Sequence, residues 1–213
     1  MTTHELRFFR DQLTQGQDLE LSAGCNRALY LRSGSLRLSS ADHAVALAAN
    51  DAWHSRAACK LIAGPAGAEI YRWELRQASE SATPGQAILV APMVLDSAGH
   101  YLLRCDRVDF PPGGIAYTHT HRGPGIRCLL AGSLKVEVEG STHDIKPGEP
   151  WFEAGSDPVL AIASASVATS FARVMILPAE LAGKSSIRYV LPEDQDKPKR
   201  QTYQMFIDEE ISL

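Results

Sequence analysis

The chain lacks any apolar run near the roughly 18 residues that a membrane-spanning helix needs. Its first ten residues, Met1 to Arg10, carry no basic stretch followed by an apolar one. No membrane partner is expected, and the protein is read as cytoplasmic. Basic charge is also in short supply. Against 25 Asp and Glu there are 21 Lys and Arg, a net charge of −4, and they form no stripe, so nucleic acid is not an expected partner. Cysteine is sparse as well: Cys25, Cys59, Cys105 and Cys128 make no Cys-x-x-Cys pair. They are read as reduced, buried thiols rather than a disulfide framework. What remains as a partner is a small-molecule ligand.

At 213 residues and 45% apolar composition, the chain can bury a core of its own. Its dominant period is two. In Ser133-Leu134-Lys135-Val136-Glu137-Val138-Glu139, Leu134, Val136 and Val138 share one face and the charges share the other, the pattern of a half-buried strand. Turn signals at Ala131-Gly132, Glu139-Gly140, Lys146-Pro147-Gly148 and Ala154-Gly155 separate such segments, which predicts an all-β antiparallel sandwich or barrel. A short helix is expected at Pro178 to Leu181, closed by Gly183.

A repeat organises the chain. Arg32-Ser33-Gly34-Ser35-Leu36-Arg37-Leu38 matches Leu130-Ala131-Gly132-Ser133-Leu134-Lys135-Val136, and Asn50-Asp51-Ala52-Trp53 matches Gly148-Glu149-Pro150-Trp151, both 98 residues apart. One shared offset predicts a β unit built twice. The polar segment from Arg76 to Gln86 reads as a linker, giving a first domain over residues 1–80 and a second over 81–213. The closing apolar residues Tyr203, Met205, Phe206 and Ile207 are expected to dock on the first domain or on a partner subunit.

Chemistry concentrates between Asp109 and Arg127. On a strand, His119 and His121 project from one face with Cα atoms about 6.5 Å apart, so two imidazoles can converge on a divalent ion such as Fe, Mn, Ni, Cu or Zn. The lead-in Phe110-Pro111-Pro112-Gly113-Gly114, the His-x-His, then Arg127 to Leu134 and Pro147 to Gly155 together resemble the two motifs of the cupin superfamily over about residues 100 to 175. The first half resembles them more loosely. The resemblance implies conical jelly-roll barrels, two in one chain, with a metal pocket inside the second.

The same resemblance implies two further ligands that are absent. Gly125 stands where a Glu is usual and Pro158 where a second-motif His is usual. Asp157, beside the vacated position, and His143, facing as Ile145 does, are the candidates to complete the site, each with a structural alternative at a loop or barrel rim. Arg127, two residues past Gly125, points inward if the register holds; there it would bind an anionic substrate or pair with a buried carboxylate. A one-residue slip would bring Cys128 inward instead.

Tyr117 is expected on the face of His119, lining the pocket mouth as a ligand donor or as a core aromatic. Trp53 and Trp151 recur at one place in both halves, which favours packing. Leu21 and Ala23 stand where the His pair would fall in the first half, which is therefore expected to hold no metal. The function implied is a metal-dependent bicupin, dioxygenase-like or a lyase or isomerase, acting on a small, anionic organic molecule. A non-catalytic sensor cupin and a structural barrel are the alternatives. A homodimer is the expected assembly.

Overall fold

A computed structural model describes residues 2–41, 43–79 and 84–213. Two compact units emerge, Met1–Gly99 with Ser212–Leu213, and His100–Ile211. The division falls nearly 20 residues later than the linker composition suggested. The reason is a strand that follows the linker yet pairs backward onto the first strand of the chain. The centre of the expected linker, 80–83, lies outside the described residues.

The first unit contains β1 (Thr2–Leu13), β2 (Asp18–Leu21), β3 (Asn26–Ser39), β4 (Ala44–Ala48), β5 (Ala52–Ser55), β6 (Cys59–Gln77) and β7 (Leu89–Leu95). They form one antiparallel sheet in the order β4-β3-β6-β1-β7, with β2 on β6 and β5 on β3. Strand β7 pairs with β1 from Thr2↔Leu95 to Phe8↔Leu89, which draws it into this unit. Its interior is leucine-rich: Leu21, Leu29, Leu31, Leu36, Leu38 and Leu61 pack together with Ile70. Leu21, at the place matching His119, belongs to this apolar core.

The second unit contains β8 (Tyr101–Phe110), β9 (Ile115–His121), β10 (Gly125–Ala131), β11 (Leu134–Val138), β12 (Ser141–Ile145), β13 (Pro150–Glu153), β14 (Val159–Ala163), β15 (Thr169–Pro178), β16 (Ile187–Tyr189) and β17 (Thr202–Ile211). One sheet runs β13-β10-β15-β8-β17 and the other β12-β11-β14-β9-β16. Val108, Phe110, Leu129 and Phe171 of the first meet Ala116, Leu134, Val136 and Val159 of the second in a shared core. Among the described residues, strand pairing does not join the two sheets into a closed ring.

The terminal segment Tyr203 to Ile207 is built into its own unit. Strand β17 pairs with β8 from Thr202↔Asp109 to Ile211↔Tyr101, as an edge strand of its own unit. Arg104 reinforces this with a fork onto Asp208, at 2.8 and 3.0 Å. The expected short helix is a single 3-10 turn, Ala179–Leu181, with Pro178 before it.

The 98-residue repeat corresponds to one turn built twice. Asn50 N–H donates to the Leu31 carbonyl and Gly148 N–H to the Leu129 carbonyl, each at 2.8 Å. Asp51 and Glu149 each accept from the N–H three residues earlier, also at 2.8 Å. Asn50 and Gly148 both have positive φ, 71° and 85°, as such a turn demands. Leu29 then pairs with Trp53, and Arg127 with Trp151. At one structural place, therefore, the first unit carries an interior leucine and the second an arginine.

Candidate functional site

Two rows of cross-strand partners build one wall of the site. Asp106, Arg173, Arg127 and Trp151 stand side by side across β8, β15, β10 and β13. The adjacent row is Arg104, Met175, Gly125 and Glu153. Partners opposite each other share a face, so Arg127 and Glu153 both project toward the interior. His119 and His121 face them from β9 in the other sheet. All four line one cavity of about 20 Å³, together with Trp151, Arg173 and Tyr203.

The two imidazoles stand edge to face, with Nε2 atoms 3.2 Å apart and ring planes at 89°. His119 Nδ1 donates to the Tyr117 carbonyl at 2.7 Å, which leaves its Nε2 a lone pair. His121 Nδ1 lies 3.2 Å from Ser186 Oγ. That hydroxyl can donate or accept, so His121 can offer Nε2 to His119 as an N–H or present a second lone pair beside the first. Both rings are nearly sealed from solvent, at 5% and 7% exposure. Burial lowers both pKa values, that of His121 well below the ordinary value, with Arg127 and Arg173 adding to its shift. The pair is neutral at pH 7, the form that ligates metals.

A metal ion fits this pair. Two nitrogens bound about 2.0–2.1 Å from one ion at about 90–110° lie about 2.9–3.4 Å apart, which brackets the observed spacing. A third donor is close but engaged. Glu153 Oε2 is 3.7 Å from His121 Nε2 and 2.7 Å from Arg127 Nη2, while Trp151 Nε1 donates to Oε1 at 2.8 Å. Among the described residues, no three His, Cys, Asp or Glu side chains are placed to hold a metal ion together. Glu153 would have to turn from Arg127 to join the pair.

Arg127 faces inward, and among the described residues its only aligned hydrogen bond is Nη1 to the Gly125 carbonyl at 2.7 Å. The close approach of Nη2 to Glu153 is an ion pair without good N–H alignment, so that donor is sealed away without a hydrogen-bond partner among the described residues. Burial pulls the Arg127 guanidinium down to about 10, against the opposing pull of Glu153. Arg173, by contrast, makes a bidentate contact to Asp106 at 2.6 and 3.0 Å.

The other expected site residues lie elsewhere. Asp157 and His143 line a separate cleft of about 450 Å³ with Val136, Val138 and Phe152. Asp157 accepts from its neighbour Ser156. Neither lines the cavity of the His pair; the cleft meets that cavity at Trp151 and Glu153, which line both. Tyr117 is displaced by a β-bulge: Val159 pairs with His119 but Ala161 pairs with Ala116. The extra residue breaks the alternation, so Ala116 takes the inward place. Tyr117 instead carries Lys197 Nζ over its ring at 4.9 Å. Trp151 both packs on Phe171, at 5.3 Å between centroids, and holds Glu153.

Glu153 is the residue that motif counting misses. The resemblance expects a carboxylate at position 125, and Glu153 is the direct cross-strand partner of Gly125. A carboxylate thus stands in the same row, one strand over. The signal available in the sequence was the alternation of Trp151 and Glu153 on a strand whose Trp is fixed by the repeat.

No family model matches the chain, and no curated protein matches it in sequence. Solved structures do resemble it. The oxalate decarboxylase of Lactobacillus farciminis, in a formate complex, superposes with a TM-score of 0.69 over 92% of this chain and 82% of that one, at 14% identity. AerE from Microcystis aeruginosa gives 0.61 over 81% and 88%, at 16% identity. A cupin 2 conserved barrel domain protein from Leptotrichia buccalis gives 0.52 over 81% and 84%, also at 16% identity. The chain shares the fold of these structures, one of them a cupin barrel domain. At such identities the likeness extends to the fold alone, and the chemistry must be argued from the residues described above.

Proposed function

We propose that the chain is a bicupin whose second unit binds a divalent transition metal at His119 and His121 and acts on a small anionic organic molecule, as a dioxygenase-like enzyme or a lyase or isomerase. The observation that carries this reading is the 3.2 Å spacing of two neutral, buried Nε2 atoms. The like order of strands and the duplicated turn support two cupin units in one chain. Fe, Mn, Ni, Cu and Zn all suit the pair, with Glu153 as third donor. A bound ion would supply Lewis acidity or redox chemistry to a substrate oxygen.

The chain's own residues do the remaining work. His119 is fixed by the Tyr117 carbonyl and His121 is braced by Ser186. Arg127 offers a buried guanidinium for the substrate's negative charge once Glu153 turns away, orienting the molecule. Charge favours this coupling: Arg127 with Glu153 and Arg173 with Asp106 are already balanced pairs, so a cation entering the site calls for an anion to accompany it.

The narrow cavity of about 20 Å³ favours one second reading, a non-catalytic sensor in which metal or a very small ligand alters stability or association. A homodimer is proposed in either case. Its support is the exposed apolar residues on edge strands, Val90 and Val94 on β7 and Tyr203 and Met205 on β17. Four buried free thiols suit a reducing cytoplasm; no helix of the described residues is long and apolar enough to cross a membrane. Oxygen consumption and product analysis with small carboxylates and diketones test the enzyme reading. Turnover should appear with metal and fall at least tenfold in Arg127→Met; unchanged turnover in that variant would remove Arg127 from the substrate site.

A further inference from the structure

The imidazole of His121 depends on a residue from the short polar stretch that follows Gly183. Strand β16 pairs with β9 so that Ile187 lies opposite His121, and Arg122 N–H donates to the Ser186 carbonyl at 3.1 Å. That pairing brings the Ser186 side chain to the ring, where it is 3% exposed and its Oγ lies 3.2 Å from His121 Nδ1. Among the described residues the hydroxyl has one other partner, Met175 Sδ at 4.0 Å. Met175 is fully buried, and a Cβ added at Gly125 would meet its Cγ at 2.8 Å. The thioether is thus packed in place beside the hydroxyl.

The two neutral rings share two protons among four nitrogens. His119 gives its proton to the Tyr117 carbonyl, so its Nε2 is an acceptor. Without a metal, two lone pairs 3.2 Å apart would repel, whereas a proton on His121 Nε2 turns the contact into a hydrogen bond. His121 Nδ1 then carries no proton and accepts from the Ser186 hydroxyl. A metal ion needs the opposite form, with a lone pair on each Nε2 and the His121 proton on Nδ1. A hydroxyl serves both. It rotates to accept from Nδ1–H and turns its own proton to Met175 Sδ, a weak acceptor. A carbonyl or carboxylate in its place could only accept, and would fix one form.

We infer that Ser186 is a positioning residue that switches the tautomer of His121. It donates to Nδ1 in the metal-free protein and accepts from Nδ1–H when Nε2 is a metal ligand, with Met175 Sδ taking the hydroxyl proton. The ring stays neutral throughout, one proton leaving Nε2 and one arriving at Nδ1. This rests on the reading of His119 and His121 as a metal pair, and it makes Ser186 and Met175 part of what decides how tightly the pair binds.

The test is long-range proton–nitrogen NMR of full-length, chelator-treated protein labelled at histidine, before and after addition of Zn(II), with zinc affinity measured by competition against a chromogenic chelator. Before zinc, His119 should be the Nδ1–H form and His121 the Nε2–H form; with zinc, both should be Nδ1–H. Ser186→Ala should bind zinc about 10- to 100-fold more weakly, and Ser186→Thr, which keeps the hydroxyl, should stay within about threefold of the unmodified protein. Met175→Leu should weaken binding by less than Ser186→Ala and leave the metal-free tautomers unchanged. The inference is overturned, with the metal reading intact, if His121 is already Nδ1–H before zinc, if Ser186→Ala binds zinc as tightly as the unmodified protein, or if Ser186→Thr binds as weakly as Ser186→Ala. Zinc that moves neither ring's signals in the unmodified protein would remove the metal reading itself, and this inference with it.

Discussion

Removing the Glu153 carboxylate should expose how much the interior of the second unit depends on one charge. Arg127 is 1% exposed, and among the described residues its hydrogen bonding apart from Glu153 is confined to the Gly125 carbonyl of its own strand. Glu153→Gln keeps the shape and the Trp151 contact but strands the guanidinium, and uncompensated buried charges of this kind cost about 3–5 kcal/mol. Arg127→Met should cost less, about 1–3 kcal/mol, because Glu153 is more accessible and keeps the indole N–H. In the double variant neither charge is left alone, so its loss should fall well short of the sum. A coupling of about 2 kcal/mol or more is expected. Urea denaturation of the four proteins at pH 7, followed by far-UV circular dichroism, measures it. Additivity within about 0.5 kcal/mol would mean that the ion pair is not what holds these two residues, and the proposed exchange of Glu153 between Arg127 and a metal would lose its basis.

Two further outcomes follow from the frame around the site. Gly132 has φ 79°, and an added Cβ would meet Thr169 Oγ1 at 2.4 Å and the Ala168 carbonyl at 2.6 Å, whereas Gly140, at φ 75°, has open space around it. Gly132→Ala should therefore lower Tm by roughly 5–10 °C and Gly140→Ala by only a few degrees, in calorimetric scans of both; equal shifts would show that close packing at Gly132 is unimportant. Burial would raise the Asp208 carboxyl, but Arg104 and the Gly183 N–H overcome it and hold the group below the ordinary carboxylate value. Its contribution is thus complete above the unfolded pKa of about 3.9 and is lost as pH falls through the lower folded value. Asp208→Asn should destabilise the protein at pH 7 and progressively less toward pH 2; a loss independent of pH would contradict this.

Much of the frame was legible because strand periodicity and turn chemistry are local. Leu134, Val136 and Val138 face inward as their alternation requires, and the two 98-residue matches mark a turn with the same hydrogen bonds in both units. The unit boundary was not legible, since the composition of the linker does not reveal that β7 returns to pair with β1. The fate of the C-terminal segment was hidden for a like reason: pairing partners distant in sequence leave no local mark. Within the site, His119, His121 and Arg127 fall where alternation puts them. Tyr117 fails because one bulged residue reverses the alternation before His119. Glu153 was overlooked because motif positions are counted along the chain, while its kinship to position 125 runs across the sheet. Asp157 was favoured by adjacency in sequence, and adjacency at a turn does not carry a side chain to the same cavity.

The most direct measurement is metal content after reconstitution with Fe(II), Mn(II), Ni(II), Cu(II) or Zn(II) and removal of loosely bound ion, comparing the unmodified protein with His119→Ala/His121→Ala and Glu153→Gln. The account predicts about one ion per chain in the unmodified protein for at least one of these metals, weaker retention in Glu153→Gln, and none in the double His variant. Equal metal in the unmodified and double His proteins, or none in either, would contradict it.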